Sequence, residues 1–238
     1  RFNGHFARAA ARGKYVAMCE GDDYWIDEKK LEKQVEVLRN HRYSLCCTNH
    51  FVLNNGKMRA TMDKKKEYTV RDIIKSNRIA TLTVMLRKDL LPPFDPELAH
   101  LWFGDWILWI KVAENGLIAN LEDCTAVYRV NPLSLSNSTS FRKKFTDIID
   151  MYKILERQVS RKYKEAISTG LSIAYCNLAI NLAYDNLRIE AIEYLSMSLL
   201  KKVSRETLID QAKAIMLIIS RRFYKFIKLI CSPTTAHA

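Results

Sequence analysis

A chain of 238 residues, 48% of them hydrophobic, can bury one sizeable core or build an α/β unit with a helical appendage, and it is not a disordered protein. Its 38 Lys and Arg against 26 Asp and Glu leave a net charge of +12, which favours an anionic partner such as nucleic acid, phospholipid or a phosphorylated substrate. No RRM-like aromatic motif, zinc-finger spacing or helix-turn-helix signature accompanies that charge, so nucleic acid is not expected.

Residues 2–12, rich in Ala and Arg, predict a helix closed by Gly13. Residues 15–19 read as a short strand that stops at the acidic turn Glu20-Gly21-Asp22-Asp23. An amphipathic helix over 26–40 follows, with Leu31, Gln34, Val35 and Leu38 on one face. Residues 43–53 predict a buried strand, which Asn54-Asn55-Gly56-Lys57 turns back, and Lys64-Lys65-Lys66 a solvated loop. Thr69 is placed to cap a helix running to Ile74, and residues 80–86 alternate as a strand. Pro92-Pro93 marks a loop, residues 105–115 carry an apolar helical stripe closed by Gly116, and 117–130 hold one or two strands.

After Asn131-Pro132 only helical periodicity remains, over 145–161, 164–186, 189–200 and 205–230. A boundary near Ser140 therefore separates a domain over 1–140 from a helical extension over 141–238. Residues 175–200, with Ala179, Ala183, Ala191, Ile192 and Tyr194, faintly resemble one tetratricopeptide-type hairpin, although a plain helical extension is preferred. Six cysteines without a CxxC pair predict buried, reduced thiols rather than a disulfide framework or a zinc site. No secretory leader pattern follows Arg1 and no run of about 18 apolar residues occurs, so a cytoplasmic chain without a spanning helix is expected.

The chemically telling stretch is Glu20-Gly21-Asp22-Asp23-Tyr24-Trp25. Closely spaced carboxylates at a strand end can hold a hard divalent ion, which itself grips a diphosphate. Equally, Asp22 and Asp23 can simply cap the following helix. A second carboxylate, Asp105 in Gly104-Asp105-Trp106, opens a predicted helix, either as an ordinary N-cap or as a base for an acceptor hydroxyl.

The run A-R-G-K-Y-V-A-M-C-E-G-D-D-Y-W from Ala11 to Trp25, followed by Lys30-Leu31 and Gln34, resembles the central motif of family 2 inverting glycosyltransferases. That motif joins a strand, a D-x-D-like turn and a K-L-x-x-Q helix. The resemblance covers roughly residues 3–138 and implies a GT-A-like fold, a mixed sheet flanked by helices, with its nucleoside-binding strands ahead of Arg1. It implies Asp22 as the ligand of Mn2+ or Mg2+, Glu20 in the place of the first acid, Asp23 supporting the turn or the sugar, and Asp105 as the catalytic base. Tyr24 and Trp25 become an apolar wall beside the donor sugar, or, for Trp25, part of the core.

The T-L-T-V-M-L-R run over 81–87 resembles the strand ahead of the acceptor loop, with Thr83 a candidate acceptor contact. Tyr128-Arg129, with Ser134 and Ser136, resembles the Y-R-x-H-x-x-S-x-S segment that closes the donor site. There Arg129 would meet the diphosphate, and Asn131, standing where a histidine is common, would be a polar donor. The implied reaction moves a sugar, with inversion, from a nucleoside-diphosphate sugar to a saccharide or lipid-linked acceptor in cell-surface polysaccharide or glycan synthesis. The rival is a non-catalytic glycosyltransferase-like interaction module. Lys201, Lys202, Arg205, Lys213, Arg221, Arg222, Lys225 and Lys228 alternate with apolar residues. That pattern suits either a basic helix lying on the inner face of an anionic membrane or a packed helix with a solvated lysine face.

Overall fold

The computed structural model describes residues 7–98, 100–101, 103–132, 134, 138–201 and 205–219. It divides into two compact units, Arg1–Thr139 and Ser140–Ala238.

The first unit holds the strands β1 (Tyr15–Ala17), β2 (Tyr24–Trp25), β3 (Tyr43–Asn54), β4 (Lys57–Thr61), β5 (Glu67–Tyr68), β6 (Met85–Arg87) and β7 (Leu117–Arg129). The long strands β3 and β7 run parallel at its centre, and Ser44 to Asn49 of β3 are all buried, as a strand covered on both faces requires. The seven-stranded sheet has the order β1-β6-β3-β7-β2, with β4 paired to the later part of β3 and β5 to the early part of β7. β7 is one strand, and the register slips between Thr48/Leu121 and Asn49/Cys124, so the exposed Glu122 and Asp123 bulge out of the ladder. At the β3–β4 hairpin Asn55 and Gly56 take φ of 48° and 74°, the positive pair that a tight two-residue turn needs.

Among the described residues the helices α1 (Lys30–Arg39), α2 (Val70–Lys75) and α3 (Gly104–Ala113) accompany this sheet. Leu38 of α1 packs with Cys46, Met85 and Ala119 in the core. Gln34 and Leu38 are buried as the sequence predicts, but Leu31, put on the same face, is 41% exposed, and Lys30 is buried instead. α2 starts with a capping box, in which Thr69 accepts from the Asp72 N–H while Asp72 accepts from that of Thr69. Gly116 does not act as a left-handed helix cap, because its φ is not positive. A Cβ there would lie 2.8 Å from the Arg42 carbonyl, so the glycine lets the entry to β7 approach β3.

The expected strand over 80–86 is another correction. Residues Thr81–Thr83 form a 3-10 turn and only Met85–Arg87 joins the sheet, because the turn's carbonyls bond to side chains rather than to a neighbouring strand.

Among its described residues the second unit is helical: α4 (Phe141–Gln158), α5 (Lys164–Tyr184), α6 (Arg188–Leu199) and α7 (Arg205–Ile219). Ser140 caps α4 by accepting from the Lys143 N–H. α5 packs against α4, α6 and α7. On the α5–α6 hairpin Ala179 and Ala191 are fully buried, while Ile192 of the same sequence pattern is 53% exposed. The segment Arg161–Tyr184 is long and apolar enough to cross a membrane, contrary to the sequence expectation, yet 72% of its most apolar window is buried in the protein, the character of a core helix.

Residues 7–10 of the predicted first helix are helical. Lys202, Arg221, Arg222, Lys225 and Lys228 of the basic tail, together with the Arg205 side chain, Ser136 and Cys231, lie outside the described residues. Among the described cysteines Cys46, Cys47 and Cys176 are buried as expected, whereas Cys19 is exposed.

Candidate active site

The acidic turn is built where β1 runs out. Met18 still donates to the Val84 carbonyl at 3.0 Å, and the chain then folds back with Asp23 N–H on the Glu20 carbonyl at 3.1 Å. Tyr24 and Trp25 follow as β2, paired with Val127 and Ala126 near the end of β7. This pairing brings Arg129 to the turn. Its N–H donates to Asp23 Oδ1 at 2.8 Å, its Nε donates to the Asp22 carbonyl, and its guanidinium lies 5.9 Å from the Tyr24 ring centroid. Burial raises the Asp23 pKa, and the Arg129 N–H opposes that rise. Asp23 is thus a turn support, while the Asp22 side chain is half-buried.

Asp105 enters from α3. It is not the N-cap, a place held by Phe103, but the second residue of the helix. Its Oδ1 accepts the Trp106 N–H at 2.7 Å and its Oδ2 accepts the Thr81 hydroxyl at 3.2 Å. Burial raises its pKa from the ordinary aspartate value, against the hydrogen bonds from Trp106, Thr81 and Asn77. Glu20 is raised as well. Its side chain keeps solvent access, but the surrounding protein removes enough water to disfavour the charge. A hydrogen bond with Thr81 opposes that shift, and the charges of Asp23 and Asp105 add to it. The two acidic constellations therefore face one another across the Thr81 hydroxyl.

Beneath them lies a layer that sequence reasoning did not assign to the site. Lys30, 1% exposed, donates to Gln34 Oε1 at 2.6 Å and sits 4.6 Å from the Trp25 ring centroid. Gln34 donates to the Thr83 carbonyl at 2.8 Å, and Trp25 Nε1 to the Leu82 carbonyl at 2.9 Å. The K-L-x-x-Q spacing held the signal, since i and i+4 share one helix face, but that face carries polar bonds rather than apolar packing. Trp25, 36% exposed, is a rim residue and not core, with Tyr24 at 39% beside it. Thr83 is 1% exposed with its hydroxyl on the Ala80 carbonyl, so it is no acceptor contact. Asn131 lies past the end of β7, where its carbonyl accepts the Ser134 N–H at 3.0 Å.

No family model matches the chain. An uncharacterised protein of Mycobacterium tuberculosis is 34% identical over 143 residues, covering 58% of this chain and 41% of that protein. WfgD of Escherichia coli, a UDP-Glc:alpha-D-GlcNAc-diphosphoundecaprenol beta-1,3-glucosyltransferase, is 26% identical over 147 residues, 61% of this chain and 55% of WfgD. WfaP, of the same description and organism, is 25% identical over 154 residues.

In sequence this chain is similar to glycosyltransferases of the family 2 type.

The chain spans 41% of the Mycobacterium tuberculosis protein and 55% of WfgD and of WfaP. The solved Staphylococcus aureus TarS 1-349 in complex with UDP-GlcNAc is similar over 79% of this chain and 67% of that one, at 14% identity and a TM-score of 0.45. As a glycosyltransferase relative the chain raises the question of a metal. Among the described residues no group of three or more His, Cys, Asp or Glu side chains converges. Asp23 is engaged by Arg129, which leaves Asp22 as the turn's candidate ligand. One carboxylate suffices for Mg2+ or Mn2+ only when diphosphate oxygens and water complete the shell, a common arrangement for such ions.

Proposed function

We propose that the first unit is a GT-A-like glycosyltransferase domain that moves a sugar from a nucleoside-diphosphate donor to a saccharide or lipid-linked acceptor, with inversion. The observation that carries this reading is the meeting of Asp105 with Glu20 across Thr81, which sets a base beside the acidic turn. Asp105 accepts the acceptor hydroxyl's proton as that oxygen attacks the anomeric carbon, and its raised pKa brings it closer to a working base.

Asp22 would hold Mn2+ or Mg2+, which when bound neutralises charge on the departing diphosphate. Arg129 keeps the acidic turn in shape and offers positive charge beside it, while Asn131 is a polar donor at the end of the same strand. Glu20 lines the donor side. Asp23 acts through Arg129 and not by touching the sugar.

WfgD and WfaP use UDP-Glc and a diphosphoundecaprenol-linked GlcNAc by their descriptions, which supports a lipid-linked acceptor for this chain. Such an acceptor would place it in cell-surface glycan synthesis at the cytoplasmic face of a membrane, where the basic tail could contact anionic lipid.

Asp105→Asn in the full-length gene product is expected to lower turnover by about 10²- to 10⁴-fold. Calorimetry with UDP-sugar and Mn2+ should show donor uptake nearly unchanged. Undiminished turnover refutes the base, and absence of metal-linked nucleotide uptake by the parent protein favours a non-catalytic relative.

A further inference from the structure

The 3-10 turn Thr81–Thr83 is held by side chains from two separate elements. Trp25 of β2 donates to the Leu82 carbonyl at 2.9 Å, and from α1 Gln34 and Lys30 reach the Thr83 carbonyl at 2.8 and 3.5 Å. Gln34 also donates to the Cys46 carbonyl at 3.0 Å, which ties the turn to the central strand. Because an ammonium can only donate, Lys30 fixes which end of the Gln34 amide is the acceptor and directs its NH2 at the two carbonyls. Leu82 and Thr83 are each 1% exposed, and Thr81 is the half-buried member of the turn, next to the carboxylates.

We propose that Thr81 is a positioning residue for the transfer: its hydroxyl, carried on the turn that the Trp25–Lys30–Gln34 clamp holds in place, fixes the Asp105 carboxylate and keeps it in register with Glu20. This rests on the base reading of Asp105. With Trp106 N–H on Oδ1 and Thr81 on Oδ2, the carboxylate is tethered at both oxygens and its plane cannot swing away from an incoming hydroxyl. A valine would fill the space of Thr81 and leave the clamp untouched, since the clamp grips the turn only at the Leu82 and Thr83 carbonyls. What it would lack is the single hydroxyl proton, which is directed at Asp105 and for which Glu20 competes.

The test compares Thr81→Val, Thr81→Ser and Asp105→Asn in the full-length gene product. Thr81→Val is expected to lower kcat about tenfold, the size of one lost hydrogen bond to a charged group, with the donor KM nearly unchanged. The acidic limb of its pH profile should move to higher pH, because a donor to the ionised carboxylate has gone. Thr81→Ser should restore both kcat and the limb. Aspartate carboxyl carbon NMR, with the Asp105 signal assigned by its loss in Asp105→Asn, should show the same upward displacement without relying on turnover. If Asp105→Asn is dead while Thr81→Val matches the parent in kcat, limb and NMR titration, this inference alone falls. Failure of serine to rescue would mean that the threonine methyl matters and overturns it too. Full activity of Asp105→Asn would instead sink the base reading beneath it.

Discussion

Lys30 keeps 1% of its surface exposed, and burial pulls its pKa from 10.5 down to about 8. The unfolded chain therefore binds more protons at this site than the folded one between pH 8 and pH 10.5, so Lys30 makes stability rise with pH across that window. Below it the buried charge is a cost that the bonds to Gln34 and Thr83 and the Trp25 ring offset in part. Relative to Lys30→Met, the parent is expected to gain stability on going from pH 8 to pH 10.5, by up to roughly 3 kcal/mol. Denaturant midpoints of the two proteins at matched pH would measure this, and a difference that stays flat contradicts it. The resemblance marked Lys30 and Gln34 as motif residues, but helical periodicity alone offered only a face to bury. Their actual work, donating to backbone carbonyls of a distant turn, leaves no periodic trace in the sequence.

Elements in this chain were readable where a local rule governs them. Asn55-Gly56 announced the hairpin because a two-residue turn demands positive φ, and Thr69 announced α2 because its hydroxyl satisfies an N–H that the helix cannot. Residues 81–83 were misread as strand because threonine and leucine suit a strand, while the donors that bend them come from β2 and α1. Close approaches between elements were equally silent. Gly170 of α5 faces Tyr152 of α4 so tightly that a Cβ would lie 2.4 Å from the ring. Gly170→Ala should destabilise the helical unit by about 1–3 kcal/mol through overpacking. In a Tyr152→Leu background the same change should cost markedly less, which a double-mutant cycle by thermal unfolding would show.

At the scale of the whole molecule, two units with separate cores share one chain. Its 4 tryptophans, Trp25, Trp102, Trp106 and Trp109, all fall within the first unit, whereas the second is wholly helical among its described residues. Tryptophan fluorescence therefore reports mainly on the first unit, and far-ultraviolet ellipticity is weighted toward the second. Their unfolding midpoints in denaturant are expected to differ, and coincident curves would mean one cooperative block.

By itself the sequence determined what depends on neighbours along the chain: the acidic turn after a short strand, the hairpin, the capped helix and the purely helical periodicity of the second half. The tertiary structure alone decided that Asp105 stands beside Thr81, 24 positions earlier, and faces Glu20, that Arg129 closes on Asp22 and Asp23, and that Lys30 is sealed beneath them. The reason is physical. Turns and caps are set by short-range sterics and hydrogen bonds, which residue type and spacing encode directly. A site gathered from several strand and helix ends depends on how those elements pack, and side-chain bonds to distant backbone carbonyls have no fixed spacing to read.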